Sequence, residues 1–127
     1  MNRRTAREKA MQILFQLNMN DTSIEDAIHL FLEEQPVNQY LQTVVEGVNN
    51  YQTPIDKKIE QHLENWTIDR IAMVERTILR IAVYELMYED VPVSVSINEA
   101  VELAKKFGDE KSGPFVNGVL SKINAEE

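Results

Sequence analysis

Apolar residues recur at three- and four-residue spacing along almost the whole chain, the mark of amphipathic helices. The first stretch, roughly Arg3 to Asn18, aligns Ala6, Ala10, Ile13, Leu14 and Leu17 on one stripe. A linker from Met19 to Thr22 follows, and Thr22 with Glu25 makes a capping box, in which two side chains satisfy free N–H groups at a helix start. The second helix runs to about Glu34, with Ile24, Ala27, Ile28, Phe31 and Leu32 inward, until Pro36 breaks it. The third carries Val37, Tyr40, Leu41, Val44, Val45 and Val48. Thr53-Pro54 reads as a cap followed by proline at the first helical position. The fourth helix then turns Ile55, Ile59 and Leu63 inward and ends near Trp66.

The fifth stretch, about Thr67 to Tyr88, breaks the amphipathic rule. Ile71, Ala72, Val74, Ile78, Leu79, Ile81, Ala82, Val83 and Leu86 go most of the way round the helix. A helix apolar on nearly all sides is surrounded by others, so this one is the expected central post. Two more helices follow in the segment Val93 to Leu120. Ser96 and Glu99 read as a second capping box, and Gly108 sits just past Phe107, where a left-handed stop is expected. Val116, Leu120 and Ile123 form the stripe of the last helix, with Val119 at its edge. Gly118 lies inside that helix, where glycine costs roughly 1 kcal/mol relative to alanine. That cost implies a close approach to the backbone, with the Asn117 amide beside it. The only strand candidate, Val91 to Val95, contains Pro92 and reads as a connector. The expected fold is all-α, about seven helices around a buried one, in a single domain over residues 1–127.

The chain of 127 residues is long enough to bury a core. It has no cysteine, which excludes disulfides and thiolate metal sites. No apolar run approaches the ~20 residues of a membrane span, and no signal-peptide core follows the basic start, so a cytoplasmic location is expected. The formal charge of −8 is unevenly spread. Met1 to Lys9 holds four basic residues and one acid, whereas Asn20 to Glu64 holds nine acids and two bases. Such asymmetry lets one end meet phosphate and another meet a basic protein. An acidic middle also serves plain solubility.

No catalytic constellation is present, so an enzyme is not expected. His29 and His62 stand alone, without a metal-site context, and read as surface or half-buried residues. The four glycines are scattered, which argues against a phosphate loop. Glu75 and Glu85 share the central helix with Arg76 and Arg80, and structural ion pairs are the better reading of them. At about 100° per residue, Arg3, Arg4 and Arg7 fall on one compact ridge beside the apolar stripe, continued by Met11 and Phe15. Guanidinium forks suit phosphate, and cations beside flat side chains suit unpaired RNA. An ordinary solvated first turn is the alternative. Phe115, near the start of the last helix with Lys111 just before it, reads either as core or as a second patch with Asn117.

These blocks also carry a resemblance. SINEAVELAKKFG followed by FVNGVL, the central VERTILRIAVYEL, and the N-terminal RRTAREKAMQILF resemble, in order, blocks of the NusB family of bacterial transcription antitermination factors. The resemblance implies two packed helical bundles and no cofactor. It implies binding of single-stranded boxA RNA in ribosomal RNA leaders together with NusE, a small-subunit ribosomal protein. It further implies assembly on RNA polymerase with other Nus factors. Carried over by motif, the RNA contacts fall on Arg3, Arg4, Arg7, Phe115 and Asn117, and the NusE contact on Glu75. Lys111 stands where some relatives have an acid beside the RNA, and a lysine there should help. A NusB-like domain of a ribosomal RNA methyltransferase, and a helical adaptor or homodimer that never touches RNA, are the rival readings.

Overall fold

The computed structural model describes residues 1–19, 21–32, 36–64 and 66–126. Seven α-helices are found among them: α1 Arg3–Met19, α2 Ile24–Leu32, α3 Gln39–Asn50, α4 Gln52–Glu60, α5 Met73–Tyr88, α6 Val93–Phe107 and α7 Ser112–Ala125. A short 3-10 turn, Ile68–Arg70, precedes α5. No strand occurs among the described residues. The helices α1, α2 and α3 pack on one another, as do α4 to α7, and α5 joins the two groups by touching α1, α3, α4, α6 and α7. Its residues Thr77 to Glu85 are buried without interruption, which is the physical meaning of an apolar pattern that runs around the helix. The stripes expected of the other helices meet it: Ala6, Ala10 and Ile13 from α1, Leu41, Val44 and Val45 from α3, Ile55 and Ile59 from α4, and Val116, Leu120 and Ile123 from α7 are all 1% exposed or less.

The helix ends differ from expectation more than the helices do. Asn2 caps α1, its Oδ1 accepting from the Thr5 N–H at 2.8 Å. Ser23, not Thr22, caps α2 through the Asp26 N–H at 3.1 Å, and the expected end at Glu34 lies outside the described residues. Asn38 caps α3 through the Leu41 N–H at 3.0 Å, which leaves Val37 outside the helix and exposed. α4 begins at Gln52, so Thr53 is no cap and Pro54 sits within the first turn, where a missing N–H costs nothing. α6 begins three residues before Ser96. The Pro92 carbonyl accepts from the Val95 and Ser96 N–H groups, so Ser96 is a buried helix residue and Glu99 is freed for another partner.

The glycines also correct the sequence reading. Gly108 is extended, at φ −101° and ψ −159°, rather than left-handed. A side chain there would run into Ser112 and come within 2.8 Å of the Ala104 carbonyl. Among the described residues, no group outside its own helix backbone and chain neighbours comes within 4 Å of a side chain's place at Gly118, which faces open space. The close approach lies instead at Gly47 of α3, where a methyl group would overlap the Tyr84 ring of α5, 2.7 Å from its hydroxyl. Gly47→Ala is therefore expected to destabilise the fold by about 1–3 kcal/mol through overpacking, whereas Gly118→Ala should leave the melting temperature unchanged or raise it. Thermal unfolding followed by circular dichroism compares the two, and equal melting of both variants would contradict this packing.

Candidate nucleic-acid interface

The first turn of α1 presents the basic residues, but not as one ridge. Arg3 is exposed and lies over the Tyr40 ring, 4.5 Å from its centroid. Arg4 is exposed as well. Its Nε and Nη2 both donate to the Glu99 carboxylate of α6, each at 3.1 Å. Arg7 turns the other way. Only 3% exposed, it donates from Nε to both Glu85 oxygens, at 3.1 and 3.0 Å. Its Nη2 adds a contact to Glu85 at 2.9 Å. The expectation that Arg7 offers its charge to solvent is corrected here. Arg7 stands a full turn after Arg3, on the side of α1 that meets α5, and burial there demands a carboxylate. Burial alone would lower its basicity, but the hydrogen bonds and charge of Glu85 more than offset this.

Tyr40 of α3 completes the buried group. Its hydroxyl donates to Glu85 and receives the Arg7 Nη2 at 3.4 Å. Burial, then the hydrogen bond and charge of Glu85, push its ionisation above the ordinary tyrosine range. The phenol thus stays neutral and serves as a donor. The carboxylates of α5 play separate roles. Glu85 belongs to Arg7, while half-buried Glu75 accepts from the Ser112 hydroxyl at 3.2 Å. Their neighbours bind elsewhere: Arg80 forms a two-pronged pair with Asp56 at 2.8 and 2.9 Å, and Arg76 donates to the Asp69 and Ile71 carbonyls. Structural pairing is thus the role of Glu85, with a partner the local sequence did not suggest.

Lys111, Phe115 and Asn117 lie together at the start of α7. Lys111 and Asn117 are exposed, and Phe115 is half-buried against the core. Part of the Phe115 ring is thus packed and part open. Among the described residues, no hydrogen bond or ion pair joins this patch to the arginines of α1; α6 packs against α7 and reaches α1 through side-chain pairs. It holds Arg4 through Glu99 at one point, and Lys106 of α6 pairs with Glu8 of α1 at 2.7 Å. On its other side, Lys105 runs beside Gly113 of α7. Lys105 and Lys106 are both exposed. These two cations bridge the separated patches. The run Lys-Lys before Phe107 carried that signal, and the sequence reading passed over it.

Two grooves flank this surface. One of about 390 Å³ lies among α1, α2, α5 and α6, lined by Met11, Phe15, Phe31, Val74 and Phe107. Met11 and Phe15, expected to continue the basic ridge, serve as its wall. The other, about 360 Å³, is lined by Leu63, Trp66, Pro114, Phe115, Gly118 and Lys122, among others. Trp66 is 52% exposed there. His62 is buried beneath it, deeper than the surface or half-buried position expected, with Nδ1 2.8 Å from the Lys58 carbonyl. His29 is exposed. No helix is long and apolar enough to cross a membrane, and no group of three or more metal-ligating side chains occurs among the described residues.

This geometry has close relatives. The family model described as NusB matches residues 4–125. A transcription antitermination protein NusB of Oceanobacillus iheyensis is 59% identical over 126 residues, spanning 98% of this chain and 100% of that protein. The NusB of Bacillus subtilis is 52% identical over 127 residues, spanning 99% and 97%. A structure of T. maritima NusB superposes with a TM-score of 0.91 at 35% identity, covering 100% of this chain and 93% of that one. A structure of antitermination factors NusB and NusE in complex with dsRNA superposes at 0.88 with 32% identity, covering 98% and 97%.

The buried pair yields a test. Glu85→Ala should destabilise by about 3–5 kcal/mol, since it strands the Arg7 charge in the core. Arg7→Met combined with Glu85→Leu should recover most of that loss. Urea unfolding measures both, and a loss under about 1 kcal/mol for Glu85→Ala would mean the pair is solvated.

Proposed function

The chain belongs to the NusB family of transcription antitermination proteins, and from that premise we propose how its surface performs the task. It binds boxA RNA in nascent ribosomal RNA leaders through a basic edge formed by Arg3, Arg4, Lys105, Lys106 and Lys111, with Phe115 and Asn117 receiving unpaired bases. NusE, a small-subunit ribosomal protein, docks beside it, as a related NusB has been crystallised with NusE and dsRNA. The pair joins RNA polymerase and other Nus factors in an antitermination complex in the cytoplasm. No bond is made or broken; the mechanism is assembly.

The observation that carries this reading is the division of labour among the arginines. Arg7 is locked into Glu85, which holds the first turn of α1 in a fixed orientation with Arg3 and Arg4 outside. Arg4 is 68% exposed although paired with Glu99. Exposed pairs contribute at most about 1 kcal/mol, so a phosphate can replace that carboxylate at little cost. Phosphate contacts then supply salt-dependent affinity, and stacking on Phe115 adds a contribution that a paired base cannot make. NusE is met by the apolar groove between Met11 and Phe107, with Glu75, the neighbour of its wall residue Val74, offering a carboxylate to a basic partner.

Two experiments follow. The variant Arg3→Ala/Arg4→Ala/Lys111→Ala should keep its fold, bind a boxA-like oligoribonucleotide more weakly, and flatten the dependence on salt by about 0.7 per lost phosphate contact. Arg7 is left in place because its loss would unsettle the core. Anisotropy across a salt series, with single- and double-stranded RNA and with and without NusE, reads this out; unchanged binding removes the site. Glu75→Arg should weaken association with NusE in calorimetry while leaving the helical signal intact. Unaltered affinity places the contact elsewhere.

A further inference from the structure

We propose that the groove between the end of α4 and the open face of α7 is a base-binding subsite, in which one unpaired RNA base stacks on Trp66 above Gly118. The inference rests on the RNA-binding reading and extends it to Trp66, which no motif of the chain had singled out.

Five observations converge on it. Trp66 presents more than half its surface to solvent, and an indole is the broadest stacking platform a side chain offers. Phe115, the aromatic of the proposed RNA patch, forms part of the same wall. The groove is therefore continuous with that patch. Gly118 lines the groove and faces open space, so none of the described residues accounts for a glycine in mid-helix. A flat ligand lying against the helix would account for it, because any side chain would fill its place. Finally, the rim carries Lys122, whose ammonium lies 3.5 Å from a Glu64 carboxylate that is 87% exposed. A long, solvated pair of this kind is easily exchanged for a phosphate. The inner edge is also polar. The His62 Nε2 faces a Glu126 oxygen 2.9 Å away, on a carboxylate that is 62% exposed and readily displaced. It can serve the edge of a base.

Trp66 is the only tryptophan of the chain, so its emission reports on this groove alone. The full-length protein is titrated with a short, end-labelled, single-stranded boxA-like oligoribonucleotide while anisotropy and tryptophan emission are recorded together. The expected result is quenching of Trp66 in step with binding. Trp66→Ala should lower affinity on the order of tenfold, with Trp66→Phe recovering part of it. Gly118→Leu, which has room to fold, should fill the groove and weaken binding to a similar degree. Replacing bases one at a time by abasic sites should find one position where Trp66→Ala causes no further loss. RNA binding with unchanged emission and unchanged affinity of both variants would overturn the subsite and leave the proposed function standing. Absence of RNA binding at every salt concentration, with or without NusE, would overturn both. Emission that shifts with protein concentration alone would assign the groove to a second copy of the chain and overturn the base.

Discussion

A single buried pair, Arg7 with Glu85, governs how this surface is arranged. It ties α1 to α5, and Tyr40 adds α3 at the same point. Such a pair is a poor source of net stability, because removing two charges from water costs several kcal/mol per ion. Its value is in register. A one-residue slip of α1 would carry Arg7 about 100° around the helix and leave Glu85 buried without its cation, held by the Tyr40 hydroxyl alone. No neighbouring packing could tolerate that. The rotation of α1 is therefore fixed more sharply than its apolar stripe, built largely of small and aliphatic residues, would fix it. Arg3 and Arg4 inherit their outward direction from this constraint.

The parts of the fold that follow from helical periodicity were legible in advance. Ala6, Ala10 and Ile13, or Val116, Leu120 and Ile123, have one buried face because no other face is apolar. The apolar belt of α5 foretold its central place for the same reason. Helix starts were not legible, because several capping residues compete within a few positions. Thr22 and Ser23 are adjacent, and the chain uses the second. Ser96 with Glu99 fits the capping pattern perfectly well as letters, yet Pro92 starts the helix a turn earlier. Arg7 was misjudged because its partner, Glu85, lies 78 positions away. Helical projection could place Arg7 beside the apolar stripe but could not reveal which acid waits across the interface. Trp66 was passed over because a lone aromatic after a helix has no periodic neighbours to mark it. Only the packing of α4 against α7 shows what it faces.

The glycines teach a related lesson. Both Gly47 and Gly118 lie within helices and bear the same conformational cost. Gly47 is explained internally, since the Tyr84 ring occupies the space of its absent side chain. Gly118 has no such neighbour. A sequence shows that the cost is borne, but not whether the reason lies inside the molecule or in a partner.

The acidic excess and the basic edge are two sides of one arrangement. The cations of the edge are not bare: Arg4 holds Glu99, Lys106 holds Glu8, and Lys105 lies near Glu102 at 3.5 Å. These pairs are exposed on at least one side, and their mutual attraction is weakened by water and salt. In the free protein they offset three of the five cations of the edge and temper indiscriminate attraction to polyanions. A strand that presents phosphates at the right spacing displaces several carboxylates together and releases its own counterions as it does so. The surrounding negative body repels strands that cannot reach the edge. In the proposed interface, selectivity for a short unpaired element then arises from what phosphate exchange cannot supply, the stacking of exposed bases on the half-open rings along α7 and its neighbouring groove.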